Sequence, residues 1–131
     1  MAEKIELEII TPAKVVLSTE VDEVTAPGAL GEFGVLPGHV TFITTLEPGL
    51  VKYSQGGTSK NIFISGGLFN VESDKAKVLT QSAEEPSKID KSEAKQQIEN
   101  LEKMISALAE DSEELRELND KLKIAQARFG V

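Results

Sequence analysis

The 131-residue sequence contains no cysteine, no tryptophan and only one histidine. Disulfide bonds, thiolate metal sites and a cysteine nucleophile are therefore excluded, and so is a metal cage built from several histidines. Positive charge is also scarce, since 14 Lys and Arg stand against 22 Asp and Glu and give a net charge of −8. This balance disfavours binding to nucleic acid or to an anionic lipid surface, because both require clustered positive charge.

Long hydrophobic runs are missing as well. No apolar stretch approaches the roughly 18 residues that a membrane-spanning helix requires. The first residues, Met1 to Ile5, lack the basic and then apolar pattern of a secretion signal. With 40% hydrophobic and 27% charged residues, the composition is that of a folded protein. We expect a cytoplasmic chain that makes no membrane crossing of its own.

Glycine, proline and aromatic residues are distributed unevenly. Nine of the ten glycines, four of the five prolines and five of the six aromatic residues precede Pro86. Between Ser87 and Phe129 there is neither glycine nor proline. This contrast predicts two domains, a β-sheet domain over residues 1–85 and a helical domain over residues 86–131.

The first domain shows the alternation of apolar and polar residues that is typical of half-buried strands, as at Ile5, Leu7 and Ile9. Later strands are predicted over Val15–Leu17, Val21–Ala26, Thr41–Leu46, Leu50–Tyr53, Asn61–Ser65, Leu68–Val71 and Ala76–Thr80. Turns are predicted at Pro27-Gly28, Pro37-Gly38, Pro48-Gly49, Gly56-Gly57, Gly66-Gly67 and Ser73-Asp74. Many short strands at this spacing predict an antiparallel β-sandwich or barrel with an aliphatic core.

The second domain carries two apolar seams at helical spacing. The first seam consists of Ala94, Ile98, Leu101, Ile105 and Leu108, and the second of Leu115, Leu118, Leu122, Ala125 and Phe129. Asp90 and Asp111 have the type and position of N-cap residues, and Gly130 of a helix stop. Because the connection around residues 109–111 is short, the two helices are expected to form an antiparallel hairpin.

Candidate catalytic residues do not assemble into a site. His39 stands alone after a Pro-Gly turn, where a general base is not expected. The Gly66-Gly67 pair is not followed by the Lys-Ser/Thr of a phosphate loop, so a β-hairpin is the preferred interpretation. The carboxylates alternate along strands instead of forming an acid–base pair. We therefore expect a chain that is not an enzyme by itself and holds no metal.

The most distinctive stretch is Gly31-Glu32-Phe33-Gly34-Val35-Leu36-Pro37-Gly38-His39. It resembles the Gly-Glu-x-Gly-x-x-Pro-Gly-His stretch of the epsilon-subunit family of rotary (F-type) ATP synthases. The opening strand up to Thr11-Pro12, the segment Ile64-Ser65-Gly66-Gly67 and the segment Ser82-Ala83-Glu84 are similar to the family too. These segments occur in the family's order, so the resemblance covers essentially the whole chain.

The resemblance implies a non-catalytic rotor subunit in the central stalk of a proton-transporting ATP synthase. In that family the sandwich binds the gamma shaft and the ring of c subunits, and the hairpin can extend into the alpha/beta hexamer and inhibit ATP hydrolysis. The implied location is the cytoplasmic face of a bacterial inner membrane, where the subunit is peripheral and reaches the membrane through the complex.

Residue roles follow from the same resemblance. Glu32 and His39 occupy positions that face the polar loops of the c ring, while Gly31, Gly34, Pro37 and Gly38 are expected to shape a turn. The candidates for contact with an acidic stretch of the beta subunit are the basic residues of the last helix. These are Arg116, Lys121, Lys123 and Arg128.

One departure from the family concerns ATP. Members that sense ATP carry Ile/Leu-Asp-x-x-Arg-Ala at the first helix, whereas this chain has a degenerate form with Ile89, Asp90 and Ala94 but Glu93 in place of the arginine. A second arginine expected about two turns later is also missing, with Asn100 in that region. A carboxylate repels phosphates, so no cofactor is expected and regulatory ATP binding should be weak or absent. Glu93 is instead expected to complete a capping box with Asp90.

A different class of function is a free coiled-coil adaptor that inserts an acidic hairpin tip, here Ala109-Glu110-Asp111, into a polymerase channel. Proteins of that class place the coiled coil before the globular domain, whereas here the order is reversed. That alternative also leaves the Gly-Glu to Pro-Gly-His stretch unexplained.

Overall fold

The structure is a computed structural model that describes residues 4–38, 41–108 and 113–131. The chain divides into two compact units, Met1–Pro86 and Ser87–Val131. The boundary lies one residue beyond the one expected from composition. The link around Ala109–Asp111 and the second N-cap, Asp111, fall outside the described residues.

In its described residues the first unit contains ten strands that form one sheet. They are β1 Ile5–Ile10, β2 Val15–Val21, β3 Glu23–Gly28, β4 Gly31–Val35, β5 Phe42–Leu46, β6 Gly49–Gln55, β7 Thr58–Ile64, β8 Gly67–Glu72, β9 Lys75–Leu79 and β10 Ala83–Glu84. A short 3₁₀ turn, Pro86–Lys88, follows.

The strands follow the order β10-β7-β6-β3-β5-β8-β9-β1-β2, and β4 pairs with β3 outside that path. Every pairing is antiparallel except that of β1 with β9, which is parallel. The Gln55 amide of β6 donates hydrogen bonds to the Thr19 hydroxyl and the Glu20 carbonyl of β2, both 2.8 Å long. These bonds join the far end of the path to β6, so the sheet forms a nearly closed sandwich, as predicted.

The core of this unit consists of the side chains that project inward from the alternating strands. Ile5, Leu7 and Ile9 are fully buried, so the face predicted from their spacing is the buried one. Two phenylalanines contact Phe69, whose ring centroid lies 5.1 Å from that of Phe33 and 6.1 Å from that of Phe42. All buried members of the core cluster lie between Ile5 and Val78. The sandwich therefore has a hydrophobic core of its own.

The structure corrects several local predictions. Gly31–Val35 forms strand β4, where the sequence suggested a shaped loop, and the turn that precedes it lies at Ala29-Leu30 because β3 runs through Pro27-Gly28. The predicted hairpin at Gly66-Gly67 is wrong, since β7 pairs with β6 and β10 while β8 pairs with β5 and β9. Local turn chemistry cannot distinguish a hairpin from a crossing between distant strands.

The second unit consists of helix α1, Lys91–Ser106, and helix α2, Glu113–Gly130, which pack against each other. Asp90 is the N-cap of α1, and its side chain accepts a hydrogen bond of 3.1 Å from the Glu93 amide. This confirms the first predicted cap, and α2 ends at Gly130 as expected. In the described part of both helices only Ala94 and Ala125 are fully buried, since the other seam residues retain partial exposure.

Candidate functional surfaces

Glu32 lies on β4 with its side chain exposed. Its carboxylate is 3.7 Å from the Lys52 ammonium of β6, and both side chains are about half exposed, 58% for Glu32 and 49% for Lys52. Both strands pair with β3, which places the two residues on either side of β3 and on the same face of the sheet. Glu32 is therefore available at the surface, whereas its predicted companion His39 lies outside the described residues.

The glycines of the motif have different backbone conformations. Gly31 and Gly38 have φ of 123° and 82°, in the region that favours glycine, and Pro37 and Gly38 form a turn. The Gly38 amide donates a 2.8 Å hydrogen bond to the Asp74 carboxylate in the turn between β8 and β9. The prediction that Gly34 shapes a turn is wrong, because Gly34 lies within strand β4 and does not have a positive φ.

An apolar row crosses four neighbouring strands on the outer face of the sheet. Leu68 of β8 pairs with Leu79 of β9, Leu79 pairs with Ile10 of β1, and Ile10 pairs with Val15 of β2. Paired residues project to the same face of a sheet, so these side chains form a continuous apolar row. Leu68, Leu79 and Val15 are 39%, 43% and 52% exposed. We call Ile10, Val15, Leu68 and Leu79 the apolar row.

The rows beside it are polar and mixed in charge on β9 and β1, while Ile43 of β5, which is 65% exposed, ends the nearer row opposite Asn70. On the same outer face, Lys77 of β9 pairs with Glu8 of β1, and Lys75 pairs with Glu6. Opposite charges on paired positions partly neutralise each other and leave no field of one sign. The apolar row is therefore the part of this face with the greatest gain from being covered.

A groove of about 480 Å³ adjoins the apolar row, and Ile10, Leu68 and Leu79 line part of it. Its polar lining consists of hydroxyl, amide and backbone groups, with no ionisable side chain. In its lining, the buried Thr80 hydroxyl donates to the Ser82 carbonyl at 3.1 Å and lies 3.4 Å from the Ser65 hydroxyl. A groove of this kind can hold an apolar side chain of a partner, and it carries no acid–base pair.

The basic residues of α2 divide into two groups. Arg116, Lys121 and Lys123 are exposed, and Arg116 and Lys123 share a face because they are two helical turns apart. Arg128 differs, since its side chain is only 14% exposed. Its guanidinium lies 3.9 Å from the Glu93 carboxylate and donates a 3.1 Å hydrogen bond to the Gln97 side chain. In this arrangement the Arg128 side chain connects α2 to α1 and is not presented to a partner.

The degenerate nucleotide motif lies at the start of α1. Ile89 and Ala94 are buried, and Asp90 is committed to capping the helix. The Glu93 carboxylate is directed to Arg128 of α2 and accepts a 3.5 Å hydrogen bond from Gln97. Of the predicted capping box, the bond from the Glu93 amide to the Asp90 side chain is present. The Glu93 carboxylate instead bridges the two helices through Arg128.

Two broader features concern the described ranges 4–38, 41–108 and 113–131. They contain no cluster of three or more acidic, histidine or cysteine side chains suited to a metal ion. Neither helix there has the length and apolar character required to cross a bilayer.

Sequence reasoning missed the apolar row and the Lys52 partner of Glu32. A signal for the row was present, since strands β1, β2, β8 and β9 contain adjacent apolar pairs such as Ile9-Ile10 and Val78-Leu79. Consecutive residues of a strand project to opposite faces, so such a pair places one apolar side chain outside. There was no comparable signal for the ion pair between Lys52 and Glu32, because that pair depends on the order of the strands in the sheet.

Comparison with known proteins gives a consistent result. The family model described as "ATP synthase, Delta/Epsilon chain, beta-sandwich domain" matches residues 4–86. The ATP synthase epsilon chain of Geotalea uraniireducens is 43% identical over 131 residues, which is 100% of this chain and 95% of the relative. That of Geotalea daltonii is 46% identical over 123 residues, covering 94% of this chain and 82% of the relative.

A solved structure shares the fold. A chain in the cryo-EM structure of the Euglena gracilis mitochondrial ATP synthase, OSCP/F1/c-ring in rotational state 1, superposes with a TM-score of 0.81. The alignment covers 95% of this chain and 78% of that chain at 24% identity.

Proposed function

The chain belongs to the family of ATP synthase epsilon chains, and we propose that it links the gamma shaft to the c ring in the rotor of a bacterial enzyme. Members of this family are non-catalytic subunits of the ATP synthase. The task is mechanical, because torque must pass between two partners through a stiff body. The nearly closed sandwich, with its own core and two separate exposed surfaces, suits that task.

The apolar row is the observation that carries the proposal, and we assign it to the gamma subunit. Leu79 and Leu68 are about two-fifths exposed, at 43% and 39%, and adjoin a groove without ionisable groups. Covering such a surface gains free energy at about 25 cal/mol per Å² of apolar area. A permanent partner in a stable assembly keeps this apolar surface covered at all times, whereas a transient partner leaves it exposed for part of the time.

The c ring is assigned to the surface around Glu32. This carboxylate is exposed and lies 3.7 Å from the half-exposed ammonium of Lys52. Exposed ion pairs contribute little to folding, so Glu32 can exchange its partner for a polar loop at small cost. At the adjacent turn Leu30 is fully exposed and offers an apolar contact beside the carboxylate.

The hairpin is assigned to the alpha/beta hexamer, where it would restrain ATP hydrolysis. Arg116 and Lys123 share an exposed face of α2 and can approach an acidic segment of the beta subunit. Lys121 is exposed on a different face, and Arg128 becomes available only when its contacts with α1 are broken. No ATP cofactor belongs to this proposal, because Glu93 places a negative charge where the motif requires an arginine.

The subunit is proposed to be peripheral at the cytoplasmic face of the inner membrane, held there by gamma and the c ring. Family membership favours this rotor role over the polymerase-channel adaptor. Co-purification separates the two, since a rotor subunit copurifies with gamma and an adaptor with polymerase.

The test uses a gamma-containing catalytic complex from which the native epsilon chain has been removed. Full-length chain, residues 1–86, the double variant Leu68→Ser/Leu79→Ser and the control Leu36→Ser are added, and binding and ATP hydrolysis are measured. Leu36 is exposed to 54% but lies beyond the opposite end of the sheet, next to the turn that contacts Asp74. Circular dichroism verifies that each variant is folded.

We expect the full-length chain, residues 1–86 and the Leu36→Ser variant to bind. The double variant should lose at least tenfold in affinity, because it removes two leucine side chains that the complex would bury. Inhibition of hydrolysis should require the full-length chain. If the full-length chain failed to bind, the rotor assignment would be wrong. Equal binding of the double variant would contradict the gamma surface, and equal inhibition by residues 1–86 would contradict the role of the hairpin.

A further inference from the structure

Lys91 stands in an unusual electrostatic position. It is the first residue of α1, where the helix dipole is positive and a cation is disfavoured. Its ammonium, however, is directed to the other helix. It donates hydrogen bonds to the carbonyls of Arg128, at 3.2 Å, of Phe129, at 2.6 Å, and of Val131.

The Arg128 and Phe129 carbonyls belong to the last turn of α2, and Val131 follows the helix directly. The last four carbonyls of an α-helix have no partner within the helix, and the negative end of the helix dipole lies there. A single ammonium has three donors, and Lys91 directs two of them to these oxygens, those of Arg128 and Phe129, and one to the Val131 carbonyl just beyond the helix. The same ammonium lies 5.9 Å from the centroid of the Phe129 ring, which adds a cation–π contact. Lys91 therefore caps the C-terminus of a helix to which it does not belong.

Arg128 makes the reciprocal connection. It extends from α2 to α1, where it contacts the Glu93 carboxylate at 3.9 Å and the Gln97 side chain at 3.1 Å. The Glu93 carboxylate is held in turn by Gln97 at 3.5 Å. One cation thus crosses in each direction at the end of the hairpin where α1 begins and α2 ends.

The packing at this end is otherwise thin. Ala94 and Ala125 are the only fully buried residues among the described residues of the two helices, and an alanine contributes little apolar area. Phe129, the largest apolar residue of this end, remains 42% exposed. Because little apolar area is buried at this end, polar contacts between the helices contribute much of the free energy that holds them together there.

We propose that Lys91 is a clasp residue: by capping the end of α2 from the start of α1, it holds the helical hairpin closed. Arg128 with Glu93 and Gln97 forms the second half of the clasp. Separation of the helices, which extension of the hairpin along a partner requires, must first break these bonds. The inference depends only on contacts within the hairpin, so it stands or falls independently of the rotor assignment.

The test measures closure directly in the full-length chain. Because the sequence has no cysteine, the pair Ser92→Cys and Gln126→Cys carries two spin labels at unique, exposed positions near the clasp. Double electron–electron resonance then gives the fractions of closed and separated helices. The test variant Lys91→Met keeps the length and helix propensity of the side chain and removes only the charge and the donors. Lys95→Met, at an exposed lysine one turn further along, is the matched control, and Lys91→Arg restores the donors.

We expect Lys91→Met to raise the ratio of separated to closed hairpin about tenfold, as loss of hydrogen bonds to a charged group predicts. Lys95→Met and Lys91→Arg should remain close to the original chain. Hydrogen exchange of the amides of residues 126–131, measured without labels, should accelerate in the same variant only. The proposal is overturned if Lys91→Met stays as closed as the original chain, or if Lys95→Met opens the hairpin equally.

Discussion

At the scale of single residues, Gly67 shows how a backbone position constrains the sequence. It has φ of 137° at the start of β8, and a Cβ atom there would lie 1.9 Å from the Leu79 carbonyl oxygen. That oxygen belongs to the backbone of the neighbouring strand β9 and cannot rotate away. Glycine is required here both by conformation and by space.

Gly67→Ala should therefore destabilise the chain by about 3 kcal/mol or more, since strain and steric overlap add. Gly57→Ala is the matched control, because Gly57 also has a positive φ, 85°, but nothing lies within 4 Å of its Cβ position. It should cost only about 1 kcal/mol. Urea unfolding followed by circular dichroism measures both. Equal losses in the two variants would show that space at Gly67 is unimportant.

Asp22 connects the start of β3 to two other segments. Its carboxylate accepts hydrogen bonds from the Lys4 ammonium and, at 2.8 Å, from the Gly56 amide. The bond from Lys4 is the main reason that the pKa of this carboxyl lies below its usual value; Gly56 acts in the same direction, and desolvation offsets part of the effect. A carboxyl with a lower pKa in the folded state stabilises that state above its unfolded pKa, and the benefit is lost as the pH falls through the folded pKa.

Asp22→Asn should therefore lower the melting temperature at pH 7, and the difference from the original chain should shrink as the pH falls below about 4. The matched control is Glu23→Gln, which removes a carboxylate at the exposed neighbouring position. Thermal melts across this range measure the effect. A difference that stays constant with pH would mean that the ionised form of Asp22 has no special role.

At the scale of elements, the first turn of α1 shows one segment serving several purposes. Asp90 caps the helix, Lys91 caps the other helix and Glu93 engages Arg128. The sequence predicted the N-cap correctly because capping is local and depends on residue type. It could not predict the contacts of Lys91 and Arg128, because these depend on how the two helices are aligned.

The same turn leads to a prediction about ATP. A nucleotide phosphate would meet the Glu93 carboxylate, and Arg128 already contacts that carboxylate and Gln97. We expect isothermal titration calorimetry of the full-length chain to show no saturable ATP binding up to about 1 mM, and the melting temperature to stay unchanged with ATP. ADP is the matched ligand control. A rise of several degrees with ATP, or micromolar binding, would contradict the expectation.

At the scale of the whole molecule, the two units differ in how they are stabilised. The core cluster is confined to the span from Ile5 to Val78, and its largest aromatic contacts join β4, β5 and β8. The helices have narrow seams with partial exposure. Isolated helices of this length are marginal in water.

Residues 1–86 should therefore fold alone and unfold cooperatively, whereas residues 87–131 alone should show much less helix than in the full-length chain. Circular dichroism melts of the two fragments test this directly. The Phe69→Ala variant of residues 1–86 provides the control, since loss of a fully buried phenylalanine should cost about 3–5 kcal/mol. A non-cooperative melt of the unmodified fragment would show that the sandwich depends on the second unit.

Periodicity and residue type were enough to assign the two domains, most strands, both helices and the first N-cap, because these features arise from interactions between near neighbours in the chain. The distinctive Gly-Glu to Pro-Gly-His stretch was enough to recognise the family. The parallel pairing of β1 with β9, the strand at Gly31–Val35 and the crossing at Gly66-Gly67 were decided only by the tertiary structure. The parallel pairing and the crossing depend on which distant strands become neighbours, whereas β4 joins the preceding strand β3 through the turn at Ala29-Leu30. The apolar row has the same origin as the parallel pairing, because two segments far apart in sequence, one with Ile10 and Val15 and one with Leu68 and Leu79, acquire a common surface only when β1 pairs with β9.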